Sequence, residues 1–300
     1  MTSLSPKDYV NFFLKKFIKK KSLIFGQNIL AGSRVSGISS GFEKIKNVNI
    51  FNTQNSESSL VGLGMGAMIS GNSALYVAKQ LDFILLSMDH IVNTYNSVLL
   101  QNSKGTFVIV TYIVDTNTEG PQSRFNCLSE FASMSKINCR YLIFKNDIEK
   151  NISLALKKKG MTILCLSQNY ANINKFDLYD NFKDVEVDKD GRYTRYKFGE
   201  KVTLVCYGFS AYEIDQIIRK DYPLSDLFII TDPLNSNLDQ IIKSSKKTKK
   251  TILFDNSSSK NKHIYYLESK LMKLKISIEK KVFDDSINEL RPNKFKNKLI

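Results

Sequence analysis

The residue types that most often carry chemistry are sparse in this chain, and their spacing completes no familiar site. There are two histidines, His90 and His263, and four cysteines, Cys127, Cys139, Cys165 and Cys206. The cysteines lie far apart with no CxxC pair, so they read as buried or free thiols of a reducing compartment. A zinc site or a Ser-His-Asp triad would have to use one of the two histidines, and neither sits in an HExxH or comparable pattern. No GxxxxGK[ST] occurs. A GxGxG run at Gly62–Gly66 falls inside a helical segment and has no acidic ribose-binding residue downstream, so it is a weak dinucleotide fingerprint. Glu57 opens that same segment, where a carboxylate favours the helix dipole. Phe83 falls at helical spacing on an apolar face and reads as a core residue.

These residues need a scaffold, and the composition supplies one. The chain has 300 residues, 42% hydrophobic, 24% charged and 11% aromatic, which excludes a disordered or fibrous protein. That length allows two domains and buries about three quarters of the unfolded surface without disulfide or metal staples. The net charge is +15. A basic balance suits nucleic acid, an anionic membrane or an acidic protein. Here the lysines are scattered in short clusters (Lys15–Lys21, Lys157–Lys159, Lys243–Lys250), not arranged as an aromatic-interleaved platform. The charge is therefore read as a lysine-rich composition, and no nucleic-acid partner is expected. No apolar run approaches about 18 residues, and Asp8 and the lysines from Lys15 onward interrupt any leader-like segment. No membrane partner is expected, and the expected location is the cytoplasm.

The pattern alternates helix and strand. Ser5-Pro6 reads as an N-cap with Pro at the first helical position, followed by Val10, Phe13, Leu14, Phe17 and Ile18 at helical spacing. Strands are expected at SLIF before Gly26, at VNIF before Asn52 and at ALYVA, with a helix through LVGLGMGAMIS between the last two. Asp82 to about Leu100 reads as one long helix, and TFVIVTYI as a strand buried in a parallel sheet. After a loop at Asp115–Arg124 come a helix, the strand CRYLIF, a helix at Ile148–Lys158 and the strand MTILCL. The polar stretch 181–200 reads as a linker. Alternation then resumes with VTLVCYG, Ala211–Arg219, DLFIIT, Leu238–Ser244, TILFD and His263–Lys273. The expected fold class is α/β, with two parallel-sheet domains over 1–180 and 201–300.

Six segments, in order, resemble the β subunit of thiamine-diphosphate-dependent 2-oxo acid dehydrogenases, of the transketolase superfamily. They are LIFGQN (Leu23–Asn28), FNTQNSESSLVGLGMGAMISGNSALYVA (Phe51–Ala78), QLDFILLSMDHIVN (Gln80–Asn93), TEGPQSR (Thr118–Arg124), KVTLVCYG (Lys201–Gly208) and IITDPLNSNLD (Ile229–Asp239). The resemblance implies a pyrimidine-binding domain over 1–180 and a transketolase C-terminal domain over 201–300, with 181–200 between them. It implies thiamine diphosphate as cofactor and one half of a heteromeric active site. No Gly-Asp-Gly occurs in this chain. The diphosphate and its Mg²⁺ are therefore expected on an α subunit carrying Gly-Asp-Gly…Asn, in a heterotetramer with a second copy of this chain.

Glu57 matches the Glu ending the family's TPISE, whose carboxylate hydrogen-bonds N1′ of the aminopyrimidine. Phe83 matches the aromatic that stacks on that ring, and Gln80 stands where relatives often carry a second aromatic. Gln122, Ser123 and Arg124 occupy the loop that faces substrate. The family's loop carries a His that assists proton transfer, and this chain has no histidine between His90 and His263. Gln or Ser hydrogen-bonds an oxygen but is no general acid near pH 7, whereas Arg124 can grip a carboxylate or phosphate. Gln27 and Asn28 replace the family's Glu-Asp, and His90 replaces a Gln at a helix position. Two functions follow as expectations: a β-type subunit acting on a 2-oxo acid or ketose-like donor, or a degenerate non-catalytic paralogue kept as a structural or regulatory subunit.

Overall fold

Ser5 caps the first helix, α1 (Pro6–Phe17), its hydroxyl accepting from the amide of Asp8, with Pro6 at the first turn. This is the N-terminal signature read in the sequence. In this computed structural model the described residues are 4–99, 104–114, 128–174, 179, 182–234, 238–257 and 264–282. They form two sheets.

The first sheet holds β1 (Leu23–Gly26), β2 (Asn49–Asn52), β3 (Ser73–Gln80), β4 (Thr106–Ile113), β5 (Asn138–Leu142) and β6 (Gly160–Ser167), in spatial order β2-β1-β3-β4-β6-β5. Every pairing in it is parallel. β4 lies inside the sheet and is buried along its whole length, as an unbroken β-branched run requires. Its alternate residues serve opposite layers. Val108 and Val110 pack under α1 and α6 (Lys145–Lys157), while Phe107 and Ile109 pack under α2 (Glu57–Ile69). Each such side chain contributes about 1.5–3 kcal/mol by leaving water. The GxGxG run is a packing device: a Cβ at Gly64 would sit 2.2 Å from the Phe107 ring, so α2 lies directly on β4. Past α6 and β6 the chain returns to α1, where the amide of Lys7 donates to the carbonyl of Ala171 at 3.1 Å.

The second sheet runs β12-β11-β9-β10-β8-β7. Its strands are β7 (Val185–Val187), β8 (Tyr193–Lys197), β9 (Val202–Tyr207), β10 (Ser225–Ile230), β11 (Lys250–Asp255) and β12 (Ser277–Val282). β9, β10, β11 and β12 are parallel. β7 and β8 add an antiparallel pair on the β10 edge. Helices α7 (Asp215–Asp221), α8 (Asp239–Thr248) and α9 (Ile264–Lys273) connect its strands.

Three local expectations change. The stretch read as a linker contains β7 and β8, because Tyr193, Thr194 and Tyr196 face the core and Asp188 folds the intervening turn. The long helix from Asp82 is broken into α3 (Leu81–Ile84), a 3-10 turn at Leu85–Ser87, a π-helical turn at His90–Thr94 and α4 (Tyr95–Leu99). β12 was not anticipated, its charged sequence SIEKKV being that of a half-exposed edge.

The two units meet along β5. The amide of Tyr141 donates to the carbonyl of Thr231 at 2.9 Å, and the Tyr212 hydroxyl donates to the carbonyl of Ile143 at 2.7 Å. Phe144 stacks on Tyr179 at 4.2 Å and meets Tyr212 edge-on at 5.4 Å. Among the described residues, no helix is long and apolar enough to cross a membrane.

Candidate functional site

In an open parallel sheet the ligand site lies beyond the carboxyl ends of the strands. Here the segment after β2 is drawn over that rim: the amide of Thr53 donates to the carbonyl of Gly26 at 3.1 Å, and the amide of Leu30 to Asn52 Oδ1 at 2.9 Å. The chain then enters α2, so Glu57, its first residue, stands above the ends of β1 and β3. β3 carries a register shift between Val77 and Gln80 against β4. Such a bulge re-aims side chains at a strand end, and Lys79 and Phe83 follow at once.

The result is a cavity of about 240 Å³ lined by Gln27, Asn55, Glu57, Tyr76, Lys79 and Phe83, with Val77 and Ala78. Glu57 is 7% exposed. Its carboxylate has no hydrogen-bond or ion-pair partner among the described residues, although the Tyr76 phenol lies close enough to feel its charge. Burial first, and Glu57 second, push that phenol well above its ordinary value. Phe83 is half-buried, with the Lys79 ammonium 5.9 Å from its ring centroid. An acid without a partner, an aromatic face and two carboxamides suit a planar, nitrogen-bearing ring: the acid bonds a ring nitrogen, and the aromatic covers a face.

Of the residues singled out in the sequence, the structure brings Glu57 and Phe83 together. Gln80 is 2% exposed and turns away, its Nε2 donating to Gln168 Oε1 at 3.0 Å at the end of β6. It does not line the cavity. Its carboxamide is held in the sheet because a buried amide needs a polar partner. Gln122, Ser123 and Arg124 lie outside the described residues, as do Cys127 and His263. His90 sits on the π-helical turn against Gly62 of α2, away from the cavity. Cys139, Cys165 and Cys206 are buried.

Tyr76, Lys79 and Asn55 were missed. Tyr76 and Lys79 belong to the end of a parallel strand, and that position was the available signal. Asp82 was also missed. It is buried beside Phe83 in the chain, and burial raises its carboxyl to about 6 against a smaller pull from its own amide. Neither oxygen has a hydrogen-bond partner among the described residues.

No family model and no curated protein matches the chain. Among solved structures, it is similar to a chain described as "Split gene transketolase, inactive beta4 tetramer". The TM-score is 0.71 over 96% of this chain and 91% of that chain, at 14% identity. This chain has a transketolase-like fold. In the transketolase-like fold of this chain, the Glu57 cavity sits on the rim of the first sheet.

Proposed function

We propose that this chain is the β-type half of a thiamine-diphosphate-dependent enzyme acting on a 2-oxo acid or a ketose-like donor, by decarboxylation or by acyl or ketol transfer. One observation carries the reading: the buried, partnerless Glu57 carboxylate beside the Phe83 ring, on the sheet rim of a transketolase-like fold. In this reading the first unit, to about residue 180, holds the aminopyrimidine and the unit from about 201 builds the assembly. Glu57 would hydrogen-bond N1′ of that ring. Phe83 covers a ring face, and the Gln27 and Asn55 carboxamides set its orientation. The bound cofactor supplies an electron sink for making or breaking a C–C bond next to a carbonyl. Arg124, which with Gln122 and Ser123 lies outside the described residues, has the side chain to bind a substrate carboxylate or phosphate in this reading.

Among the described residues the cavity is lined by no diphosphate cradle, which is in keeping with a second chain completing the site. α2 offers a surface for one. It is apolar from Leu60 to Ile69, and Leu63 and Ile69 on it are exposed, as are Leu85 and the 70%-exposed Leu86 after α3. A helix apolar all round belongs in an interior, and patches of this kind mark protein contacts. The partners in this reading are an α subunit with Gly-Asp-Gly…Asn that holds Mg²⁺ and diphosphate, and a second copy of this chain. The split-gene transketolase neighbour is described as an inactive β4 tetramer. By analogy, this chain alone assembles with itself and does not turn over.

The test is co-purification with the α subunit from the native source, followed by assay for bound thiamine diphosphate and for turnover of 2-oxo acids and ketose phosphates. Glu57→Gln in the same complex should remove most turnover without unfolding it; unchanged turnover sinks the reading. A second reading, a non-catalytic paralogue, is favoured by Gln80 having turned into the sheet and by the absence of any histidine from 91 to 262. A cofactor-free complex of normal mass would select it.

A further inference from the structure

A second cavity, of about 240 Å³, lies between the two units. It lies at the opposite side of the sheet from Glu57. Its floor comes from Asn138 and Arg140 of β5 and Thr162 near the start of β6, with β4 and β6 separating it from β3. One wall is the α6 face made by Asn151, Leu154, Ala155 and Lys158, at the three- and four-residue spacing of a single helix face. The other wall is the β7–β8 turn, with Asp190 and Arg192, and Asp232 after β10.

The polar lining is cation-rich, and although Arg192 pairs with Asp190 at 2.9 Å, Arg140 and Asn151 keep donors to spare. Three cations, Arg140, Arg192 and Lys158, face two carboxylates, Asp190 and Asp232. Arg140 has an 11%-exposed side chain. One terminal nitrogen donates to the carbonyl of Cys139 at 2.7 Å and lies 3.4 Å from Asp232 Oδ1. Its Nε and other terminal nitrogen have no partner among the described residues, and that is the edge a guanidinium offers to a carboxylate or phosphate. Asn151 is 2% exposed, and its Nδ2 also has no partner among the described residues.

The backbone of Arg192 is fixed in advance. Gly191 takes φ +67 and touches the Asn151 carboxamide, so no larger residue fits that turn. Asp188 Oδ2 accepts from the amides of Asp190 and Arg192 at 3.1 and 3.2 Å. The carbonyl of Arg192 accepts from the amides of Thr231 and Asp232. Positioned donors of this kind lower the ordering cost of binding.

We propose that this cavity is a binding site for a small organic anion, its carboxylate or phosphate held by Arg140 with Arg192 and Lys158, and that the ligand bridges the two units. The volume corresponds to about eight waters at their share of liquid volume. That suits a headgroup with a few carbons, which would lie on Ala132, Ile137 and Leu154. A ligand there touches β5, α6 and the second sheet's turn at once, so it fixes one unit against the other. The inference does not depend on the chemistry at Glu57.

The experiment is calorimetric titration of the full-length protein with inorganic phosphate and, separately, with succinate. Saturable binding of at least one is expected, and the tighter of the two names the headgroup. Arg140→Lys keeps the charge but loses the fork, and Leu154→Phe fills the cavity with every charge kept. Each should weaken binding at least tenfold with an unchanged circular dichroism spectrum, while Lys250→Ala, on a distant surface pair with Glu279, changes nothing. Failure of both anions to bind saturably overturns the proposal. So does wild-type affinity in either Arg140→Lys or Leu154→Phe.

Discussion

The two cavities have the same volume and opposite chemistry. On the sheet rim the Glu57 carboxylate has no donor among the described residues; between the units, two of the three Arg140 guanidinium nitrogens and the Asn151 Nδ2 have no acceptor among them. The rim cavity is built from residues 27–83, a nearly continuous piece of chain that folds over one end of β1 and β3. The cavity between the units is stitched from residues 132–234 and exists only once both sheets have formed. A site made by one unit can survive alone, whereas a site made by two reports on their docking.

The largest effect should separate the rim cavity from its surroundings. Glu57→Gln in the complex with the α subunit is expected to lower kcat by about 10²–10⁴, the usual weight of a positioned proton-transfer group. Cofactor-dependent turnover measures it, and Arg140→Lys in the same assay should not reproduce it. Next comes the scaffold under the rim. Ile109→Ala on β4 should cost about 2–5 kcal/mol, read from denaturant unfolding, because the site is fully buried between α2 and the sheet. The same variant should reduce affinity at both cavities far less than it reduces stability.

The two cavities were unequally legible in the sequence. Glu57 and Phe83 were singled out because their segments, in order along the chain, resemble a family pattern, and the two line one cavity. The sheets were readable because strands such as TFVIVTYI are unbroken apolar runs. Gln80 was misplaced because spacing cannot tell which way a strand-end side chain turns once a bulge intervenes. β7 and β8 were taken for linker because their inward residues are tyrosines and threonine among charges, so local composition resembled a loop. Arg140 and Arg192 were invisible, since nothing in the sequence sets β5 beside a turn fifty residues later.

A smaller effect sharpens the contrast through titration. Asp82 has its carboxyl raised to about 6 by burial. Its folded form therefore holds a proton that the unfolded form has lost, and stability falls as pH rises from about 4 to 6. Asp82→Asn should raise stability at pH 7 by on the order of 1 kcal/mol, because the amide removes a buried charge. The gain should vanish below about pH 4, and thermal unfolding across that range checks it. The smallest effect is at Lys250, whose exposed pair with Glu279 should be worth under about 1 kcal/mol.

The most direct test of the central claim is the cofactor content of the complex formed by this chain and its α subunit, isolated with wild-type Glu57 and with Glu57→Gln. The rim-cavity account predicts one thiamine diphosphate per pair in the wild-type complex, with turnover that Glu57→Gln abolishes while the complex keeps its mass. A folded complex that carries no thiamine diphosphate, or one whose turnover is indifferent to Glu57→Gln, would contradict it.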